Sequence, residues 1–287
     1  MSEKALHTTH RFLDEAGDTT FYGKKRRNII GTEGVSNCFI LGMVSFHQPL
    51  EILRQQITAL QEQVAGDAFF QVPSVQKKIA NGGYFFHAKD DLPEIKKLFL
   101  DYILRLDFSF EAIAARKSVE RFATKHKDKE EYFYADVLSH LLKNKLHSGE
   151  KLVLNIGEKG TSTKNNNLAL ALEKAKQRYA INQTADNLRR AQPGEAIDLV
   201  SRHHVQANIV FNETRPLREP LLNVTDYLCW VVQRVLERGE VRYYNYMLEK
   251  IGLVVDLYDT EKYEGYRNYY TKENPLTAEN KISPPLH

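Results

Sequence analysis

The sequence predicts an α/β fold, with one mixed β-sheet and helices packed on its faces, and three observations predict it. Apolar runs of strand length alternate with segments of helical hydrophobic periodicity along nearly the whole chain. No internal repeat or low-complexity linker interrupts them, so the 287 residues read as one domain over 1–255 and a tail over 256–287. Hydrophobic residues make up 42% and charged residues 27%, the composition of an ordinary globular chain.

The elements follow in order. HRFLDEAGD carries the first strand over about 10–14, and CFILGMVSF the second over 38–46. Between them, glycines and Lys24, Lys25, Arg26 and Arg27 read as an exposed basic excursion. Leu50, Leu53, Ile57 and Leu60 recur at helical spacing, which predicts a helix over 50–64. GGYFFHA, over 82–88, reads as a third strand after a Gly-Gly turn. Asp91 and Pro93 suit a helix start, with Ile95, Leu98, Phe99 and Ile103 on the buried face. FSFEAIAAR (108–116) is a fourth strand, 130–146 an amphipathic helix, and KLVLNIGE (151–158) a fifth strand. A helix over 168–179 comes next, then one or two strands within 195–211. The last strong helix spans 220–240, continued by a second around 243–251. The tail is rich in tyrosine (Tyr258, Tyr263, Tyr266, Tyr269, Tyr270), which favours packing over the core above base stacking, and PPLH is expected to be disordered.

Forty Lys and Arg against 37 Asp and Glu leave a formal charge of +3, which neither demands nor excludes a nucleic-acid partner. Cys38 and Cys229 both lie inside apolar runs, so they read as buried free thiols in a reducing compartment. The N-terminus lacks the apolar core of a signal peptide, and no apolar run reaches the roughly 18 residues of a membrane span. A cytoplasmic protein with no membrane partner is the expectation.

Three carboxylates stand out. FLDEAGD puts Asp14 at the end of an apolar strand, with Glu15 and Asp18 around a small-residue turn. Oxygen ligands placed so can hold a hard divalent cation, although a plain turn also wants Asp and Gly. Glu158 leaves the fifth strand in the same way. Asp226 is ionisable within the apolar stretch LLNVTDYLCWVV, with Leu222, Cys229, Trp230 and Gln233 on its face. A bare buried carboxylate is costly, so it calls for a metal, a partner, or a capping box in which Asn223 is the cap. Acids on the first strand, a later strand and the final helix follow the order used by ribonuclease H-like enzymes. Those enzymes hold two metals about 4 Å apart for phosphodiester cleavage.

FLDEAGD, YFFHAKD, LNVTDYLCWVVQRVLERGEVRYY and the closing YRNYYTKENPLT together resemble a prokaryotic family, domain of unknown function 3800, which opens with a similar D-E-S-G-D signature. The resemblance spans almost the whole chain. It implies a ribonuclease H-like mixed sheet flanked by helices, and a setting in mobile elements or phage defence. The family's first motif falls on Asp14, Glu15 and Asp18, with Ala16 replacing its usual Ser, its His-x-Lys element on His87 and Lys89, and its late helical Asp on Asp226. Glu158 is assigned from strand order alone.

His87 and Lys89 are two apart on a strand, so they face the same side, and the pair could bind a scissile phosphate or the leaving group. The phospholipase D pattern that HAKDDLPE also suggests needs an Asp where Glu94 stands, and a second copy that is absent. His203 and His204 are adjacent on a predicted strand and must point to opposite faces. The basic run over 115–129 reads first as solvated charge beside a helix start. Two functions follow. One is a Mg²⁺- or Mn²⁺-dependent nuclease using Asp14, Glu158 and Asp226, with Glu15 or Asp18 as further ligands and Lys89 and His87 at the phosphate. The other is an inactive module of the same fold that binds DNA, RNA or a partner protein of a defence system.

Overall fold

The computed structural model describes residues 7–146, 150–157, 164–192, 199–201, 205, 208–259 and 267–282, with the side chains of 164–167 excepted. It is an α/β protein whose seven described strands form one mixed sheet with helices, compatible with the ribonuclease H-like sheet expected. The strands are β1 (His7–Ala16), β2 (Cys38–Phe46), β3 (Phe108–Arg116), β4 (Glu150–Gly157), β5 (Asn208–Thr214), β6 (Leu253–Asp256) and β7 (Tyr269–Tyr270). Their order is β5-β4-β1-β2-β3-β6-β7. β1, β2 and β3 form an antiparallel meander, β6 joins β3 in parallel, and β7 closes antiparallel on β6.

The described helices are α1 (Leu50–Gly66), α2 (Pro73–Ala80), α3 (Pro93–Leu104), α4 (Val119–His126), α5 (Glu130–Leu142), α6 (Lys164–Arg190), α7 (Leu222–Arg238) and α8 (Arg242–Met247). The chain groups into two compact units. The described residues of Met1–Thr9, Ser118–Leu154 and Lys159–Phe211 form the smaller one, which holds α4, α5 and α6. Those of His10–Lys117, Asn155–Glu158 and Asn212–His287 form the larger, which therefore takes in the segment beyond 255 that reads as a tail.

The larger unit is built around α7, where residues Leu222 to Val232 are buried on every side except at Asp226. Such a helix has no solvent face to mark it amphipathic and must sit inside a core. It lies on the sheet face formed by Phe12, Ala16, Cys38, Ile40, Val44, Phe110, Ala112 and Ala114, one set of alternate residues from each strand. Gly42 lets it approach, because a Cβ there would stand 2.4 Å from Cys229 Sγ and 2.7 Å from a Phe110 ring carbon.

Several sequence expectations need correction. Residues 82–88 are not a strand. Tyr84, Phe86 and Ala88 are buried in alternation, which gives the period of a strand. Side chains serve the backbone there: Lys78 Nζ donates to Phe85 O, and the amides of His87 and Ala88 donate to Asp91 and Asp226. Asp91 therefore does not cap α3, whose N-cap is Leu92 with Pro93 in the first turn. α2, β6 and β7 were not foreseen, and α6 runs well past residue 179 in the C-terminal direction. Tyr258 and Tyr270 are buried, as a packed tail requires, whereas Tyr263, Tyr266, His203, His204 and PPLH lie outside the described residues.

The approach at Gly42 makes a quantitative expectation. Gly42→Ala lowers unfolding stability by about 1–3 kcal/mol through overpacking. Combining it with Cys229→Ala, which removes the clashing sulfur, costs less than the two single losses added. Urea unfolding of the four proteins tests this, and simple additivity defeats the contact.

Candidate active site

At the exit of β1, Asp14 pairs with Gly42 of β2 and so shares its sheet face, the one covered by α7. Glu15 is next along the strand and faces the other way. The turn after Ala16 requires glycine: Gly17 has a φ of +84°, and a Cβ on it would lie 2.4 Å from Cys38 O. Asp14 Oδ1 accepts the Glu15 N–H at 2.8 Å. It also lies 3.4 Å from where a Gly157 Cβ would stand, so the end of β4 runs up against the Asp14 carboxylate. Glu158, the next residue, lies outside the described residues.

Asp18 is committed elsewhere. It accepts from Thr20 N, Ser36 N, Ser36 Oγ and the fully buried Lys117 Nζ at 2.7 Å. Burial works against its charge, but the Lys117 and Ser36 donors outweigh it and hold the carboxyl below its ordinary range. The same lysine also donates to Thr20 O, so the pair fastens the β1 exit to the end of β3.

α7 is registered on β1 by two side-chain bonds, Thr225 Oγ1 to Phe12 O and Cys229 Sγ to Asp14 O. Asp226 sits between these two anchors. The capping-box reading fails, because α7 begins at Leu222 and Asn223 is buried, accepting from Gln61 Nε2 and donating to Pro216 O. Asp226 Oδ2 accepts the Ala88 N–H at 2.7 Å, and Oδ1 lies 3.8 Å from His87 Nε2. Burial pushes its carboxyl up to about 7. The Ala88 amide opposes this, the negative charge of Asp91 adds to it, Lys78 opposes it, and Asp90 adds to it.

The 84–91 segment is folded around Asp91, a residue whose contribution here the sequence did not reveal. Its buried carboxylate accepts from Lys78 Nζ, the His87 amide and Tyr227 OH, all within 2.7–2.9 Å. The paired aspartates of HAKDD are the only signal it leaves: Asp90 takes His87 Nδ1 at 2.9 Å, and Asp91 takes the His87 backbone. His87 is thereby aimed with Nε2 towards Asp226. Lys89 is exposed on the turn, so it does not share a strand face with His87.

Asp14 lies on the sheet face that α7 covers, and its backbone carbonyl accepts from Cys229 Sγ, less than one turn of α7 from Asp226. Burial raises that thiol's pKa well above its ordinary value, and the charges of Asp14 and then Asp226 add to the rise. The chemistry available is a carboxylate pair of hard oxygen donors with an imidazole beside one of them, which suits Mg²⁺ or Mn²⁺ better than a soft metal. Among the described residues, no three His, Cys, Asp or Glu side chains converge as a metal group.

Compared with known proteins, the chain matches no family model, no curated protein and no solved structure. The resemblance to domain of unknown function 3800 thus stands on its motifs alone.

Because the folded-state pKa of Asp226 lies above the unfolded value, the folded state favours its protonated form. The stability this contributes is complete below the unfolded pKa of 3.8 and is lost as pH rises towards about 7. In EDTA, wild type is therefore expected to lose on the order of 2 kcal/mol between pH 5 and 8 relative to Asp226→Asn. Urea unfolding at the two pH values measures it, and parallel pH profiles refute the buried-carboxylate assignment.

Proposed function

We propose that this protein is a divalent-metal-dependent nuclease of the ribonuclease H-like kind, acting in the cytoplasm on phosphodiester bonds of DNA or RNA. The observation that carries the reading is the placement of Asp14 at the end of β1, on the sheet face that α7 covers, with Asp226 on α7 less than one turn from Cys229, which donates to Asp14 O. The protein alone disfavours the anionic form of Asp226, and a cation is what relieves such a charge. Asp14 and Asp226 would hold Mg²⁺ or Mn²⁺, with Glu158 as the further carboxylate proposed, whereas Glu15 faces the other side of the sheet and is not. A bound ion supplies positive charge for the phosphoryl oxygens and lowers the pKa of water.

His87 has its Nδ1 on Asp90 and its Nε2 towards Asp226, a placement suited to handing a proton to or from a reacting oxygen. Lys89, exposed on the same turn, adds charge for a phosphate. Asp18 supports the site by its bond to Lys117 and is not proposed as a ligand, because each of its oxygens already accepts two donors. The proposed setting in phage defence or a mobile element follows from the family resemblance. The alternative, an inactive module that binds nucleic acid or a partner protein, is favoured by the lack of a third converging ligand among the described residues.

The test is cleavage of single- and double-stranded DNA and RNA with Mn²⁺. Asp14→Ala is expected to lower the rate by at least about a hundredfold, the scale on which one electrostatic group at a reacting centre acts. Cleavage unchanged by that substitution sinks the reading. In parallel, Mn²⁺ is expected to raise the melting temperature of wild type and to raise that of Asp226→Asn less, since binding to the native state stabilises it. Equal shifts remove Asp226 from the ligand set.

A further inference from the structure

Within the smaller unit, positive charge gathers along α6 and the end of α4. α6 carries six Lys and Arg against two acids, Glu173 paired with Lys176 and Asp186 with Arg189. On its neighbour α5, the buried Asp136 accepts Arg178 Nη2 at 2.5 Å and Lys125 Nζ at 2.8 Å, with His126 Nε2 at 3.4 Å. Lys174 lies close enough to feel the same group. Burial lowers its ammonium pKa, Asp136 works against that, and the charges of Arg178 and Lys125 lower it further. Lys143 is lowered by burial and by Arg178. The buried Asp136 therefore gathers three cations, Lys125, Lys174 and Arg178, with Lys143 near Arg178.

An aromatic ring stands in the same place. Tyr132, in the first turn of α5, has Lys129 Nζ 5.1 Å and Lys174 Nζ 5.9 Å from its ring centroid. Its ring is only half-buried, and Lys125 and Lys129 are both exposed. Flexible lysine side chains over a ring can swing to phosphates when a base takes their place on the π-face, which is how charge and stacking combine on single strands. Acids stand nearby as well: Glu120 opens α4, Asp128 precedes Lys129, and Glu130 and Glu131 open α5 at its N-terminus, where negative charge also serves the helix.

We propose that α4, α5 and α6 form a binding surface for single-stranded nucleic acid, with Tyr132 as the platform for a base and Lys125, Lys129 and Lys174 on the flanking phosphates. Arg178 and Asp136 form the frame that sets the cations in place. A duplex keeps its bases stacked inside and leaves the ring unused, which is why the surface favours single strands. This rests on the nucleic-acid reading of the preceding section and names the contact surface for it.

The experiment uses the full chain in EDTA, so that neither metal nor cleavage is involved. Fluorescence anisotropy follows labelled single strands of about 20 nucleotides, their duplexes, and polyglutamate. Tyr132→Ala is expected to weaken single-strand binding about tenfold, while Tyr132→Phe binds as wild type does and controls for folding. Lys129→Gln with Lys174→Gln should flatten the slope of log affinity against log salt by about 1.4. Unchanged affinity and slope in these variants overturn the proposal, as does duplex or polyglutamate bound as tightly as the single strand. Loss of binding in the variants, in a protein that never cleaves with Mn²⁺, defeats the nuclease reading and leaves this surface standing. Wild-type binding in the variants, with Asp14-dependent cleavage intact, does the reverse.

Discussion

The close seating of α7 on the central meander is the contact on which the rest of the larger unit depends. It is possible because Gly42 leaves room for Cys229 Sγ and the Phe110 ring, and because Thr225 and Cys229 donate to carbonyls of β1. A helix buried on nearly every side gains from apolar burial along its whole length, at roughly 25 cal/mol for each Å² removed from water. It also has nowhere to put a polar group except against a partner. That constraint turns Asp226 from a surface carboxylate into one whose ionisation the protein resists.

The polar groups around α7 compensate for that burial by serving backbone that no strand serves. Asp91 is the clearest case: it takes a lysine, a tyrosine and an amide, and the segment 84–91 closes on it without a ladder. Removing one member of such a buried group leaves the others unpaired, and the cost of that exceeds the worth of any single bond. Lys117 and Asp18 play the same part at the β1 exit. These clusters hold the segments that carry Asp14, His87 and Asp226. A spacing pattern would not separate the two kinds of carboxylate.

What was legible in the site was therefore the residue types more than their roles. Asp14 and Asp226 stood out because each is an acid where an apolar run ends or continues, and the structure puts Asp14 on the sheet face that the helix of Asp226 covers. Asp18 belongs to the same motif as Asp14 yet points its oxygens into a lysine contributed from the end of β3, a partner distant in sequence. His87 and Lys89 read as neighbours on a strand face because alternate burial of Tyr84, Phe86 and Ala88 has the strand period. Period alone does not say what the backbone is bonded to. Gln61 and Pro216, which take up Asn223, are likewise far along the chain, so its capping role had no local contradiction.

By itself the sequence determined the elements whose hydrophobic period is long and uninterrupted: β2 and β3 over the ranges expected, and α1, α3, α5 and α7 to within a few residues. It determined the α/β class for the same reason, since period is a local property that each segment carries with it. The tertiary structure alone decided the strand order, the addition of β6 and β7 beside β3, and the choice of which acids meet. Those outcomes depend on contacts between residues far apart in the chain, and their energy comes from desolvation and packing that no local pattern records. The charge on Asp226 shows the difference: the sequence supplies the carboxyl, and burial beside Asp91 sets where it titrates.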